Sequence, residues 1–165
     1  MRGAVAGFSL MEVTIALAIV GILATLAVPS FQNSIVRDQI VTAVPLANLA
    51  KKPVEAMWAA AQALPADNAA AGIPAANKIV SNLVSAVTVQ DGAIHITFGN
   101  NAHGLISGKV LTLRPAVVDD AAVVPVAWIC GFAPTPDKMT VKGENHTDVP
   151  MNVLPFNCQS NTGKS

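Results

Sequence analysis

The chain has 165 residues, 52% of them apolar and only 12% charged, with ten Lys and Arg against ten Asp and Glu. That length fits one domain, or one domain with an appendage, and so apolar a composition excludes an intrinsically disordered chain. The balanced charge excludes broad polyelectrolyte binding to nucleic acid or to an anionic membrane surface as a first function. The apolar excess is concentrated in residues 8–28, followed by Pro29, and no charge occurs from residue 13 to 36. As a helix rising about 1.5 Å per residue, this run is long enough to cross a hydrocarbon layer of about 30 Å. A removable secretory signal is the competing reading. Against it, Arg2 is the only basic residue ahead of the run, Glu12 interrupts the run, and the best late cut, after Ala27, is followed by Val28-Pro29.

A carboxylate in a membrane helix costs about 2.5–3.5 kcal/mol on insertion scales, so Glu12 calls for a partner or a task. It could also lie close enough to lipid headgroups to stay hydrated, which explains tolerance but not purpose. If the chain were cut after Gly7, Phe8 would carry a free amine about one helical turn from Glu12. An axially shifted neighbouring chain could then place its own amine on this carboxylate, and that contact would specify the stagger between subunits.

The motif Gly7-Phe8-Ser9-Leu10-Met11-Glu12-Val13 at the head of an apolar run resembles the processing signal of type IV pilins. The short leader, residues 1–7, and the Phe directly after the Gly are similar to the type IVa subgroup. The resemblance extends over nearly the whole chain, through Ala71-Gly72-Ile73-Pro74, the segment of residues 87–99, Trp128-Ile129-Cys130-Gly131 and Leu154-Pro155-Phe156-Asn157-Cys158. It implies a leader cut after Gly7 by a prepilin peptidase, N-methylation at Phe8, and polymerisation into an extracellular fibre. It also implies that Glu12 is needed for efficient assembly and that the helix between Gly21 and Pro29 loses helicity in the fibre, which would make the fibre extensible. The implied partners are other copies of the chain in a helical filament, the peptidase/methylase and the assembly machinery of the inner membrane, with a host surface or DNA as further candidates. The implied location is the inner membrane, as a single-pass protein, before assembly and the extracellular pilus after it. One departure is the complete lack of Tyr, with Leu83 where such pilins often carry an aromatic residue.

Beyond the apolar run, Val36, Ile40, Val44, Ala47, Val54, Trp58 and Ala61 recur at helical spacing, while Arg37, Asp38, Lys51, Lys52 and Glu55 lie mostly off that face. The helix is therefore expected to continue as an amphipathic half over residues 31–63, packing on a globular head. Pro29, Pro45 and Pro53 each remove a helical hydrogen bond and predict bends, although Pro53 could instead start a fresh segment. Residues 64–76 read as a surface loop, and residues 77–85 as a short helical turn within a connection ending at residue 85. Val87, Val89, Ile94, Ile96 and Phe98 alternate with polar residues around Asp91-Gly92, the strongest hairpin signal in the chain. Residues 109–114 and 123–130 supply two more strands, separated by Pro115 and Asp119-Asp120. The expected fold is α+β: a long N-terminal helix, membrane-spanning over residues 8–30 and then amphipathic, packed on a four-stranded antiparallel sheet within residues 86–130. A C-terminal loop region of residues 130–158 follows, poor in apolar periodicity.

In a chain exported as the resemblance implies, Cys130 and Cys158 are most simply a disulfide, with free or metal-binding thiols as the alternative. His95, His103 and His146 share no metal-site spacing and read as surface histidines. Gly104-Leu105-Ile106-Ser107-Gly108-Lys109 falls one residue short of a phosphate-binding loop, so its glycines read as turn residues. Asp119 and Asp120 read as solvated rather than as a calcium or acid/base pair. Lys51-Lys52, Lys138 and Lys142 could touch phosphates, but no aromatic residues interleave with them. Asn145-His146-Thr147 fits the N-glycosylation pattern, its relevance set by compartment. Trp128 is expected to pack against the disulfide. No catalytic constellation emerges, and no metal or cofactor is expected. The expected function is structural, with a type II secretion pseudopilin, or a tip subunit that binds DNA or a surface, as alternatives.

Overall fold

The computed structural model describes residues 7–160, and of residues 26–30 only the backbone. Residues 1–6 of the expected leader, and the Pro29 side chain, lie outside the described residues. The chain divides into two compact units, one ending at Ile35 and the other beginning at Val36. Helix α1 spans Leu10–Ala43, a 3-10 turn covers Val44–Ala47, and helix α2 spans Asn48–Ala61.

From Val13 to Ala24 α1 has no polar face, and Leu10, Val13, Ile15, Leu17, Ile19 and Ile22 are all exposed. A helix without a polar face has no inside and outside of its own; it needs an apolar environment on all sides. Among the described residues no helix is long and apolar enough to cross a membrane, and residues 26–30 of the expected span, residues 8–30, lie outside the described side chains. A span needs about 20 consecutive apolar residues, and the described side chains of this run stop at Thr25.

In the second unit the amphipathic expectation holds with small shifts. Val36, Ile40, Ala43, Ala47, Ala50, Val54 and Trp58 are buried, while Ala61 is exposed. At Pro45, where a bend is expected, the α-helix gives way to the 3-10 turn Val44–Ala47, because Pro45 cannot donate the next helical hydrogen bond and the turn tightens. Pro53 neither starts nor ends a segment, since α2 begins five residues earlier and runs through it. Gln62, left-handed at φ 50°, closes α2 by donating its N–H to the Trp58 carbonyl at 2.8 Å.

Strands β1 (Val84–Gln90), β2 (Ala93–Phe98), β3 (Val110–Val117) and β4 (Ala127–Cys130) form an antiparallel sheet in chain order. A two-residue β5 (Thr140–Val141) adds to the end of β3. The β1–β2 turn has positive φ at both Asp91 (48°) and Gly92 (81°), the primed geometry that an Asp-Gly pair selects. A Cβ on Gly92 would also meet the Leu64 side chain at 2.9 Å. Pro115 does not end β3. β2 pairs β3 only as far as Leu113, while Pro115 is paired with Trp128 of β4 and accepts the Lys142 N–H on its carbonyl at 2.9 Å, and the strand continues to Val117. The expected helical turn near residue 77 is a 3-10 turn at Ala76–Lys78.

One side chain fastens the connecting loop to the sheet. Asn68, buried, accepts the Val89 N–H on Oδ1 at 2.6 Å and donates from Nδ2 to the carbonyls of Val87 (3.0 Å) and Pro74 (2.9 Å). Its amide thus pairs with the outer edge of β1 as a strand would, which blunts an edge otherwise open to pairing. The loop region of residues 130–158 is less core-poor than its composition suggests, since Val149, Val153 and Leu154 are buried in the main apolar cluster with Phe98, Ile94 and Ile96. Each such side chain contributes on the order of 1.5–3 kcal/mol through burial.

Candidate assembly site

Gly7, Phe8 and Glu12 lie within about one turn of each other at the start of α1. Ser9 caps the helix: its Oγ accepts the Met11 N–H at 3.3 Å, while Glu12 Oε2 accepts the Ser9 N–H at 3.3 Å. This reciprocal capping box of Ser9 and Glu12 satisfies two of the donors that a helix start leaves open. Sequence reasoning did not assign this task to Glu12, although the Ser-x-x-Glu spacing signals it. Gly7 is unobstructed, and Phe8 is 84% exposed. Phe8, Glu12, Val13, Ala16, Leu17 and Val20 line an open depression of about 380 Å³ that is apolar except for the one carboxylate. Gly21 is helical with open space around it.

The other expected site residues lie in the second unit. Cys130 and Cys158 are bonded to each other, which excludes the free or metal-binding thiol reading. Gly131, at φ 54°, follows the bond, and a Cβ there would meet the Cys158 carbonyl at 2.9 Å. Trp128 lines a cavity of about 210 Å³ beside the disulfide, together with Lys51, Leu113 and Asn157. Its Nε1–H donates to Glu55 Oε1 at 2.7 Å, and Lys51 Nζ sits 5.6 Å from its ring centroid. Burial lowers the Lys51 pKa, with the nearby Glu55 charge opposing the shift. Lys51 is thus committed to Trp128 and Glu55 rather than spread in solvent.

Arg37 is a structural residue that helical periodicity alone does not identify. It donates to the carbonyls of Leu154 (Nε, 3.1 Å) and Asn152 (Nη2, 2.9 Å), and its guanidinium lies 4.6 Å from the Phe156 ring centroid. These contacts clamp the C-terminal loop onto α1 within the second unit. The expectation for Asp119 as a simply solvated residue is also revised: it accepts from Lys142 Nζ (2.9 Å) and Thr140 Oγ1 (2.8 Å). Those hydrogen bonds hold its carboxyl below the ordinary range, Lys142 most strongly. Asn145, in the glycosylation-like triplet, is occupied internally. It donates to the Gly131 carbonyl at 2.9 Å and accepts the Thr147 N–H at 3.1 Å.

His95 overturns the expectation of a surface histidine. It does project from the sheet face opposite Ile94 and Ile96, but only 5% of it is exposed, because residues of the C-terminal loop cover that face. Among the described residues, no group of three or more His, Cys, Asp or Glu is arranged to hold a metal ion.

A helix apolar all round with a capped carboxylate at its start, joined in sequence to an α+β head with a C-terminal disulfide, defines a filament-subunit class of protein. Comparison with known proteins agrees. Residues 36–159 match the family model for pilin, described as a bacterial filament protein. The chain is 32% identical over 161 residues to the type IV major pilin protein PilE of Neisseria gonorrhoeae, covering 94% of each chain. It is 36% identical over 128 residues to the fimbrial protein EcpC of Eikenella corrodens, covering 75% of this chain and 80% of that one. Similarity to the type IV major fimbrial protein FimA of Dichelobacter nodosus is 30% over 132 residues, with 68% and 83% covered. The chain belongs to the type IV pilin family.

Proposed function

We propose that the chain is a structural subunit of a type IV pilus, not an enzyme, cut after Gly7, methylated at the Phe8 amine and polymerised into an extracellular fibre. The observation that carries this reading is the stretch of α1 from Leu10 to Thr25, whose large apolar side chains are exposed in the single chain and whose one carboxylate is Glu12. Such a helix needs an apolar surrounding, which the membrane supplies to the precursor and neighbouring subunits supply in the fibre. In the precursor, residues 8–30 hold the chain in the inner membrane, residues 26–30 extending the run described to Thr25.

Mechanistically, Gly7 leaves the backbone open to the peptidase, and cutting there creates the Phe8 amine. The Glu12 carboxylate of one subunit then receives the amine of another, so that the only charge in the apolar interior is neutralised in one register. Gly21 and Pro29 make the intervening helix the segment able to yield under tension. The head, with its disulfide loop, forms the fibre surface. Assembly requires copies of the chain, the peptidase and the inner-membrane machinery.

Substituting Gly7→Val is expected to leave an uncut precursor in the membrane fraction and to reduce surface fibres at least tenfold, because a branched side chain obstructs the backbone at the cut. Mass determination of the membrane form and electron microscopy of the cells check both parts. Normal processing with normal fibre number in this variant would contradict the proposal.

A further inference from the structure

The outer face of the sheet carries a stacked pair of histidines. His95 on β2 stacks on His146 of the disulfide-closed loop, with ring centroids 4.5 Å apart and planes 13° from parallel. His95 Nδ1 lies 2.9 Å from Thr112 Oγ1 on β3, while its buried Nε2 has no hydrogen-bond partner within the protein. The same threonine hydroxyl accepts the His146 N–H at 3.0 Å. Neighbouring loop residues borrow the free part of β3. Thr112 donates its N–H to Thr147 Oγ1, and Val110 and Asp148 exchange hydrogen bonds. Residues 143–148 therefore lie across the sheet without regular secondary structure, tied by the histidine stack at one place and by polar contacts at the others.

We propose that the His95/His146 stack is a proton-operated latch that holds residues 143–148 on the sheet at neutral pH and releases them on acidification. A cationic His95 would bury an imidazolium with an unpartnered N–H directly beneath a second imidazole. Burial, and then the neighbouring His146, accordingly lower the His95 pKa from the ordinary 6.5 to about 4. When the loop lifts, His95 regains water and its ordinary affinity for protons. The open form then binds more protons than the closed form between about pH 6.5 and 4, so the latch is full strength above that window and weakens as pH falls through it. Each pH unit multiplies the open-to-closed ratio by up to about ten, or up to roughly 300-fold across the window.

The charged groups around the pair are few. Glu144 Oε2 sits 3.2 Å from His146 Nε2, the Lys109–Asp148 ion pair (3.4 Å) lies at the start of β3, and Arg114 reaches the Gly131 carbonyl (3.4 Å) farther along that strand. Thr88 is the residue of β1 paired with His95. Because the disulfide closes the loop at both ends, release exposes the sheet face without unfolding the head.

Hydrogen exchange of the full-length chain in detergent micelles, with the disulfide intact and rates corrected for intrinsic pH dependence, tests the latch. The expected result is a loss of about thirtyfold in protection at Thr112, His146 and Thr147 on going from pH 7.5 to pH 5, with Val89 and Ile96 unchanged. His95→Phe keeps a stacked ring but cannot take up a proton, and should flatten the response; His95→Asn serves if Phe is not accommodated. An unchanged loop in the wild-type chain at pH 5 would overturn the proposal. So would an equal pH response in the His95 variants, which would move the effect to His146, Glu144 or Asp148.

Discussion

Glu12→Gln is expected to reduce fibre yield by at least tenfold while leaving removal of the leader intact. The choice of Gln matters because Glu12 has two tasks that a simple truncation would confuse. Within its own chain it completes the capping box with Ser9, accepting the Ser9 N–H at 3.3 Å. A Gln carbonyl does this as well, so the helix start is preserved. Between chains, the proposed partner is the Phe8 amine of a neighbour, and only a carboxylate neutralises it. An ion pair at about 4 Å attracts by about 4 kcal/mol at an effective dielectric of 20. Leaving one member of such a buried pair alone costs about 3–5 kcal/mol per subunit, about two to four orders of magnitude in association. Glu12→Ala should be at least as defective, with a frayed helix start in addition. Counting fibres by electron microscopy while following leader removal by mass separates the two steps. Normal piliation with Gln would show that capping, and not charge, is what Glu12 provides.

The second large effect concerns the Cys130–Cys158 bond. Its sequence separation is 28, and the loop-entropy relation gives about 3.6 kcal/mol for a loop of this size. Replacing both cysteines by Ser is therefore expected to lower the melting temperature of the full-length chain in detergent by about 10 °C. The loss should not be total. Val149, Val153 and Leu154 still bury in the core, and Arg37 still holds the carbonyls of Leu154 and Asn152. Adding Arg37→Ala should consequently lower the melting temperature further, and by more in the Ser variant than in the oxidised chain. An unchanged melting temperature in the double Ser variant would contradict this account of the loop.

These outcomes bear on how much of the molecule could be read before folding. Local rules performed well where chemistry and geometry share a few residues. Asp91-Gly92 selected its turn, the spacing of Val36, Ile40, Ala47, Val54 and Trp58 marked the buried face, and the two cysteines paired. The misses come from contacts between residues distant in sequence. Asn68 sits in a loop that reads as surface, and only the arrival of β1, about twenty residues on, gives its amide two of its three partners, the third being the Pro74 carbonyl of the same loop. His95 follows strand alternation correctly and points outward, yet outward is not exposed when residues 143–148 cross that face. Pro115 reads as a strand breaker, yet it stays in β3 through its pairing with Trp128 of β4 and the Lys142 N–H donated to its carbonyl. For the assembly site, the motif identified Gly7, Phe8 and Glu12, while the capping role of Glu12 emerged from the hydrogen bonds at the helix start.

The most direct measurement of the central claim is mass spectrometry of fibres sheared from the surface of cells that express the chain. A structural subunit processed as proposed is the abundant polypeptide of those fibres, beginning at an N-methylated Phe8 and carrying the intact Cys130–Cys158 bond. Fibres that lack this chain, or that contain it with residues 1–7 still attached, would contradict the account.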